Sequence, residues 1–237
     1  MRKPSAFSGT TMHESVPKAW VTFNTPLEGM FRGMYPDVKG LITTGMGNLI
    51  DPLPYALALP WELPGGIPCP KETTSFAFHE LKKDPRCKTH SAKFFLALPY
   101  NNMRLSMAEV EKLIVGKLEQ NDTAMKKRFA DWEDRPADAQ LAVHSMAWAM
   151  GPAFFAKFPK FTKAFMAKDY LAACRPVGKW PWGDTKYECD MKPDVDDDGQ
   201  PTGTIPERNR RSRQLLTNAA YVKDDIGELR WGIPKMS

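Results

Sequence analysis

Gly29, Gly33, Gly40, Gly45 and Gly47 all fall within one short stretch, LEGMFRGMYPDVKGLITTGMGNLID, residues 27–51. Glycine at such density marks places where the backbone must turn or make a close approach. Within it, Leu27, Met30, Phe31 and Met34 recur at helical spacing and predict a helix-like segment. Pro36-Asp37 predicts a turn, and Leu41 to Ile50 is a β-like run broken by two glycines. Residues 37–50 therefore predict a small β-hairpin or three-stranded sheet. Pro26 removes a backbone donor and predicts a break or kink just before Glu28.

The same stretch carries a chemical pattern. Glu28, Asp37 and Thr43 are supplied by a helix end, a turn and a strand. Glycoside hydrolysis needs a carboxylic acid to protonate the leaving oxygen and a second polar group on the opposite face of the sugar. Glu28, at the end of a packed segment, is expected to be partly desolvated, which raises a carboxyl pKa. Asp37, in a solvated Gly/Pro-rich turn, is expected to stay ionised, and the Thr43 hydroxyl can hold a water. A structural reading competes. Thr25-Pro26-Leu27-Glu28 also reads as a capping box with Thr25 as N-cap, Pro26 at the first helical position and Glu28 reaching back.

EGMFRGMYPDVKGLITTGMGNL resembles the active-site segment of the phage-type lysozymes, the T-even phage muramidases and their relatives. Glu28-Gly29, Tyr35, Asp37, Gly40, Thr43, Gly45 and Gly47 match that pattern without a gap. The resemblance implies that Glu28 is the general acid, that Asp37 and Thr43 position the nucleophilic water, and that Tyr35 supports them. It also implies the fold: α+β, mainly α, lysozyme-like, with a small β-hairpin lobe and a larger helical lobe. The expected layout is an irregular N-terminal arm over 1–18 and a catalytic domain over 19–237. Within that domain, about 35–104 would be the β-containing, elaborated lobe and 105–237 the helical one. The resemblance covers about residues 20–50, 104–176 and 206–222.

The chain is long enough, at 237 residues, to bury a full core in one large or two small domains. It has no apolar run near 18 residues, so no membrane span is expected. Residues 1–15, MRKPSAFSGTTMHES, lack an apolar core and read as no classical signal peptide. A formal charge of +5 suits an anionic polymer such as a bacterial envelope, or an ordinary solvated surface. Nothing points to nucleic acid. Cys69, Cys87, Cys174 and Cys189 show no metal-ligand spacing, so no cofactor is expected. In an oxidising compartment Cys69–Cys87 and Cys174–Cys189 are the locally plausible bridges; in a reducing one all are thiols.

Residues 51–104 open on a Pro-rich run, DPLPYALALPWELPGGIPCPKE, that cannot be a long regular helix. This span is longer than in the resembling family and reads as an elaboration on the substrate side. Trp61 within it is a candidate for stacking on a sugar or a local packing anchor. Lys93 to Tyr100 is a short apolar run, a strand or a buried turn. Ser106-Met107-Ala108-Glu109 is a capping box opening an amphipathic helix through Val110, Leu113, Ile114 and Leu118. Pro136 opens another helix, apolar almost all round, which predicts a central buried position. Its His144 reads as a core or surface imidazole. Phe154, Phe155, Phe158, Phe161 and Phe165 read as packed helical core.

Further resemblances bear on the site. Met146 to Gly151 matches the family's core helix, with Trp148 as a candidate substrate contact. Ala149 stands where the family places a Gln or Asn that touches sugar. Trp182, in KWPWGD, lies near the family's tryptophan before its cleft loop. Asn209-Arg210-Arg211-Ser212-Arg213 resembles a helix start whose first arginine lies against the catalytic glutamate, which implies that role for Arg210. Asn48 replaces a His that makes a structural ion pair, so a different anchoring of the hairpin is expected. Asp194, Asp196 and Asp198 match half of a calcium loop, but Ile205 stands where the bidentate Glu belongs, and an acidic solvated loop is the plainer reading.

The function expected is a peptidoglycan N-acetylmuramidase that hydrolyses the β-1,4 bond between N-acetylmuramic acid and N-acetylglucosamine with inversion. It would act in the bacterial periplasm or cell wall, as a phage endolysin passing a holin-type pore or as an effector delivered by a secretion apparatus. An effector would be matched by an immunity protein. The rival readings are a lytic transglycosylase or chitin-type glycosidase, and a wall-binding structural component that has lost the chemistry.

Overall fold

The computed structural model describes residues 11–175, 177 and 204–232. Trp182, the Asp194–Asp198 acidic run and Cys189 lie outside them. The chain is α+β and mainly helical, with a small antiparallel sheet. It divides into two compact units, Glu28–Lys117, and Met1–Leu27 together with Leu118–Ser237.

The 28–117 unit is built on the glycine-rich stretch. β1 (Phe31–Pro36), β2 (Ile42–Gly45) and β3 (Asn48–Leu49) form an antiparallel sheet in that order. The elaborated span then folds as α2 (Leu53–Leu57), a two-strand ribbon of β4 (Glu62–Leu63) and β5 (Ile67–Pro68), α3 (Lys71–Lys83) and α4 (Ala92–Leu96). α3 turns Thr74, Ala77, Phe78 and Leu81 inward, spaced to form one helical stripe, and packs on β1 and β2. The run read as a strand or buried turn at Lys93–Tyr100 is thus α4 with the turn that follows. Phe95 is its inward anchor, and Phe94 packs at 5.2 Å from Phe95.

Three expectations around Glu28 are corrected. Leu27 to Met34 is not one helix. The helix α1 (Ser15–Glu28) ends at Glu28, Gly29 takes φ +69°, and a strand begins at Phe31. A Cβ at Gly29 would sit 2.6 Å from the Phe31 ring, so only glycine fits this stop. Nor does Pro26 break the helix ahead of Glu28: α1 runs through it. Position 25 is equally not an N-cap. The Thr25 hydroxyl donates back to the Val21 carbonyl at 2.6 Å, as a mid-helix threonine does. The capping-box reading of Glu28 therefore falls. α1 also begins at Ser15, inside the stretch read as an irregular arm.

The second unit is helical in its described residues. α5 (Met107–Arg128) starts at the expected cap, with the Glu109 amide donating to Ser106 Oγ at 3.2 Å, and it contributes residues to both units. α6 (Ala137–Met150) is buried from Ala137 through Trp148, as a helix apolar all round must be. It packs against α9 (Thr204–Tyr221). α7 (Pro159–Met166) and α8 (Tyr170–Cys174) close on a phenylalanine cluster in which Phe154, Phe155, Phe161 and Phe165 are at most 1 % exposed. Arg135 is buried among them. Its guanidinium lies over the Phe129 and Phe165 rings, is held bidentately by Asp131, and donates to the Phe165 carbonyl.

The N-terminal residues are tied to this unit by Asp122. One carboxylate oxygen accepts from the Thr11 amide (2.7 Å) and hydroxyl (2.9 Å), and the other from Trp132 Nε1 (2.7 Å). Burial alone would push this carboxyl up. His144, the Thr11 amide and the Trp132 indole outweigh it and hold the pKa at about 2. His144 is fully buried, 3.7 Å from Asp122 and edge-on to Trp20 and Trp132.

Candidate active site

The sheet of the 28–117 unit is irregular, and the irregularity places the candidate residues. Phe31 pairs with Gly45 and Tyr35 with Thr43, so four steps along β1 oppose two along β2. Such a bulge strands carbonyls that a regular ladder would satisfy. Each of the three finds another donor. The Leu105 amide takes Arg32 O at 2.8 Å, the buried Thr44 hydroxyl takes Gly33 O at 3.0 Å, and the buried Asn101 amide takes Met34 O at 2.7 Å. Gly33 has no room for a side chain, since a Cβ there would lie 2.5 Å from Leu96 and 2.8 Å from the Arg104 guanidinium. Arg104 is in turn spent on the Leu96, Asn101 and Met103 carbonyls, and burial lowers its pKa.

With the bulge fixed, Tyr35 and Thr43 lie opposite each other across the β1–β2 ladder. Directly opposed residues share a face of the sheet. The Tyr35 phenol is pushed up to about 12, first by burial and then by the Glu28 carboxylate; the Gly47 backbone amide works the other way, and Asp37 adds a smaller upward push. Both carboxylates thus act on the ring that pairs with Thr43. Phe31, whose ring blocks the Gly29 position, meets Tyr35 edge-on at 5.3 Å.

The three candidate side chains differ in what they have left to offer. Glu28 is half-buried at the end of α1. Asp37 closes its own turn. Oδ1 accepts from the Lys39 amide at 2.8 Å and the Leu41 amide at 2.9 Å, while the backbone bonds Asp37 N to Leu41 O. Both bonds use Oδ1, so Oδ2 takes no part in closing the turn. Thr43 is 6 % exposed and donates its hydroxyl hydrogen to the Leu41 carbonyl at 3.1 Å. Its oxygen keeps lone pairs that can accept.

Asn48 anchors the hairpin as no histidine ion pair would. Its Oδ1 accepts from the Met46 amide and its Nδ2 donates to the Leu113 carbonyl of α5, both at 3.1 Å. Lys117 adds a bond from the same helix to Gly47 O.

Other candidates take different places. Trp61 is 3 % exposed, and its indole N–H donates to Ala56 O at 2.7 Å, so it is the packing anchor and not a sugar platform. Trp148 is 5 % exposed and lies 4.9 Å from Trp20, which leaves it no ring face to offer a ligand. Ala149 is exposed. Arg210 is partly exposed, and its guanidinium is taken bidentately by Glu207, one turn back on α9. The Arg210 bond, more than the opposing burial or the Arg211 bond, holds Glu207 at about 2. Arg213 and Arg208 are the buried arginines of this helix's described residues, and Arg208 Nη1 donates to Ser145 O (3.0 Å) and Oγ (2.9 Å). Helical spacing could have found it, since Arg208, Ser212, Leu215, Leu216 and Ala219 form the inward stripe of α9 and Arg210 lies off it. Thr44 was also legible, because adjacent strand residues face opposite sides.

Cys69 and Cys87 are free thiols, and Cys174 is buried with its Sγ against Arg213 O and Thr217 Oγ1. Among the described residues no group of His, Cys, Asp or Glu is arranged to hold a metal ion, and no helix is long and apolar enough to cross a membrane.

No family model matches the sequence, and no curated protein matches it. Among solved structures the chain is similar to the active form of the P1 phage endolysin Lyz. The match has a TM-score of 0.44 and 14 % identity over 89 % of this chain and 86 % of that one. The likeness is distant.

Proposed function

We propose that this chain is a peptidoglycan muramidase. Its candidate acid is Glu28, and its water-holding pair is Asp37 with Thr43. The observation that carries the reading is the Tyr35 phenol, on which the Glu28 and Asp37 carboxylates both act, in register with Thr43. In sequence these residues are spread over a helix end, a turn and a strand.

Glu28 gives its proton to the glycosidic oxygen as the bond to the anomeric carbon breaks. The attacking water needs a lone pair aimed at that carbon, so its hydrogens must point elsewhere. Asp37 Oδ2 and the Thr43 oxygen both accept, because Asp37 Oδ1 and the Thr43 hydrogen are already committed to backbone. As the water attacks, its proton passes to Asp37; Asp37 then releases that proton to solvent and solvent returns one to Glu28, which resets both carboxyls. The product is inverted at the anomeric carbon, which calls for carboxyl groups about 6.5–9.5 Å apart. A lytic transglycosylase needs no such water and would leave anhydro-muramyl ends where this mechanism leaves reducing ends.

Glu28→Gln tests the assignment. Loss of turbidity of a peptidoglycan suspension should slow by about 10²–10⁴-fold with the melting temperature unchanged. A Gln variant that keeps most of the activity sinks the proposal.

A further inference from the structure

The elaboration between β3 and α5 carries a groove of about 780 Å³ on the outer face of α3. α3 has two stripes. Thr74, Ala77, Phe78 and Leu81 face the sheet, while Glu72, Ser75, Phe76, His79, Glu80 and Lys83 line the groove, with Leu57 of α2 and Lys71 at its margins. Phe76 is 57 % exposed, and the Tyr100 ring stands edge-on to it at 6.2 Å and 80°. An aromatic face held by a second ring and surrounded by hydroxyl, imidazole and carboxylate groups is a poor seat for an apolar protein surface. Only Phe76 and Leu57 among the groove's lining residues are large and apolar.

We propose that this groove is a second sugar-binding site, which grips a glycan strand away from the reacting bond. The C–H face of an N-acetylhexosamine would lie on Phe76. Ser75 and His79 reach its hydroxyl and acetamido groups, and Glu72 and Glu80 accept from hydroxyls along the groove. The volume falls in the range of small-ligand sites and suits two or three sugar units. Because α3 packs on β1 and β2, the groove and the candidate catalytic residues belong to one unit. A strand gripped there is held at high local concentration for the chemistry. The choice of a sugar polymer as ligand rests on the muramidase reading; the groove itself does not.

The test uses the full chain with Glu28→Gln, so that binding is read without turnover, on insoluble peptidoglycan. Adding Phe76→Ala should weaken the bound fraction roughly 5-fold, and His79→Ala should weaken it in the same direction. With Glu28 intact, Phe76→Ala should slow digestion of insoluble wall while leaving the rate on a short soluble tetrasaccharide unchanged. Circular dichroism of each variant checks that the fold is intact. Phe76→Ala binding as tightly as its parent overturns the second site, as does an equal loss on the insoluble and the short substrate. If Glu28→Gln has no effect on turnover but binding still depends on Phe76, the groove stands and the catalytic assignment falls.

Discussion

Replacing Thr44 by Val removes the hydroxyl that holds the β1 bulge while keeping the size and branching of the side chain. In the structure that hydroxyl is fully buried and donates to Gly33 O, a carbonyl with no place in the ladder register. Losing one such bond costs about 0.5–1.5 kcal/mol, and leaving a buried acceptor unmet costs about 1–3 kcal/mol. The added methyl recovers under about 1 kcal/mol by burial. The net expectation is a local loss of about 2 kcal/mol, or roughly 30-fold. Amide hydrogen exchange reads it directly. Residues 31–36 and 42–45 should exchange roughly 30-fold faster in Thr44→Val, while α6 is unaffected. Thr44→Ser, which restores the hydroxyl, should recover most of the protection. If Thr44→Val exchanges like the parent, or if Ser is as damaging as Val, the hydroxyl is not what holds the bulge.

Asp122 gives a pH prediction. Its folded pKa of about 2 lies below the ordinary 3.8. The stabilisation is therefore complete above about pH 4 and is lost as pH falls through about 2, worth about 2 kcal/mol in all. Asp122→Asn should lower the melting temperature at pH 7 and flatten the drop between pH 4 and 2; an unchanged slope contradicts the linkage. The thiols give another prediction. Cys69 and Cys87 should take up maleimide in native, unreduced protein, and Cys174, 2 % exposed, only on unfolding. Peptide mapping that finds a Cys69–Cys87 crosslink contradicts the free-thiol state.

What could be read from sequence follows the physics of each segment. α6 was legible because apolar residues all round a helix leave no solvated face, and the start of α5 because a serine hydroxyl reaches the third amide onward. β1 was misread for an equally physical reason. Leu27, Met30, Phe31 and Met34 fit a helical period, and the bulge hides the strand period of two by burying Gly33 and Met34 in succession. The 51–104 span gave least, because α2, β4, β5 and α4 are each five residues or fewer, too short to show a period. In α9 the motif pointed to Arg210, while helix geometry turns Arg208 inward. At the candidate site the residue types were legible. The division of labour within Asp37, one oxygen for the turn and one for a ligand, depends on backbone amides and needed coordinates.

That division decides which replacements at Asp37 count as conservative. Two main-chain amides converge on Oδ1, so the carboxylate is clamped at a reach of one methylene. Glutamate keeps the charge but carries its oxygens past both amides, so it would spoil the loop along with the chemistry. Asparagine keeps the clamp through its carbonyl and surrenders only the negative charge. For a protein engineer, the substitution that looks gentler on a similarity matrix is here the harsher one, and a well-folded, silent enzyme is best sought with the amide.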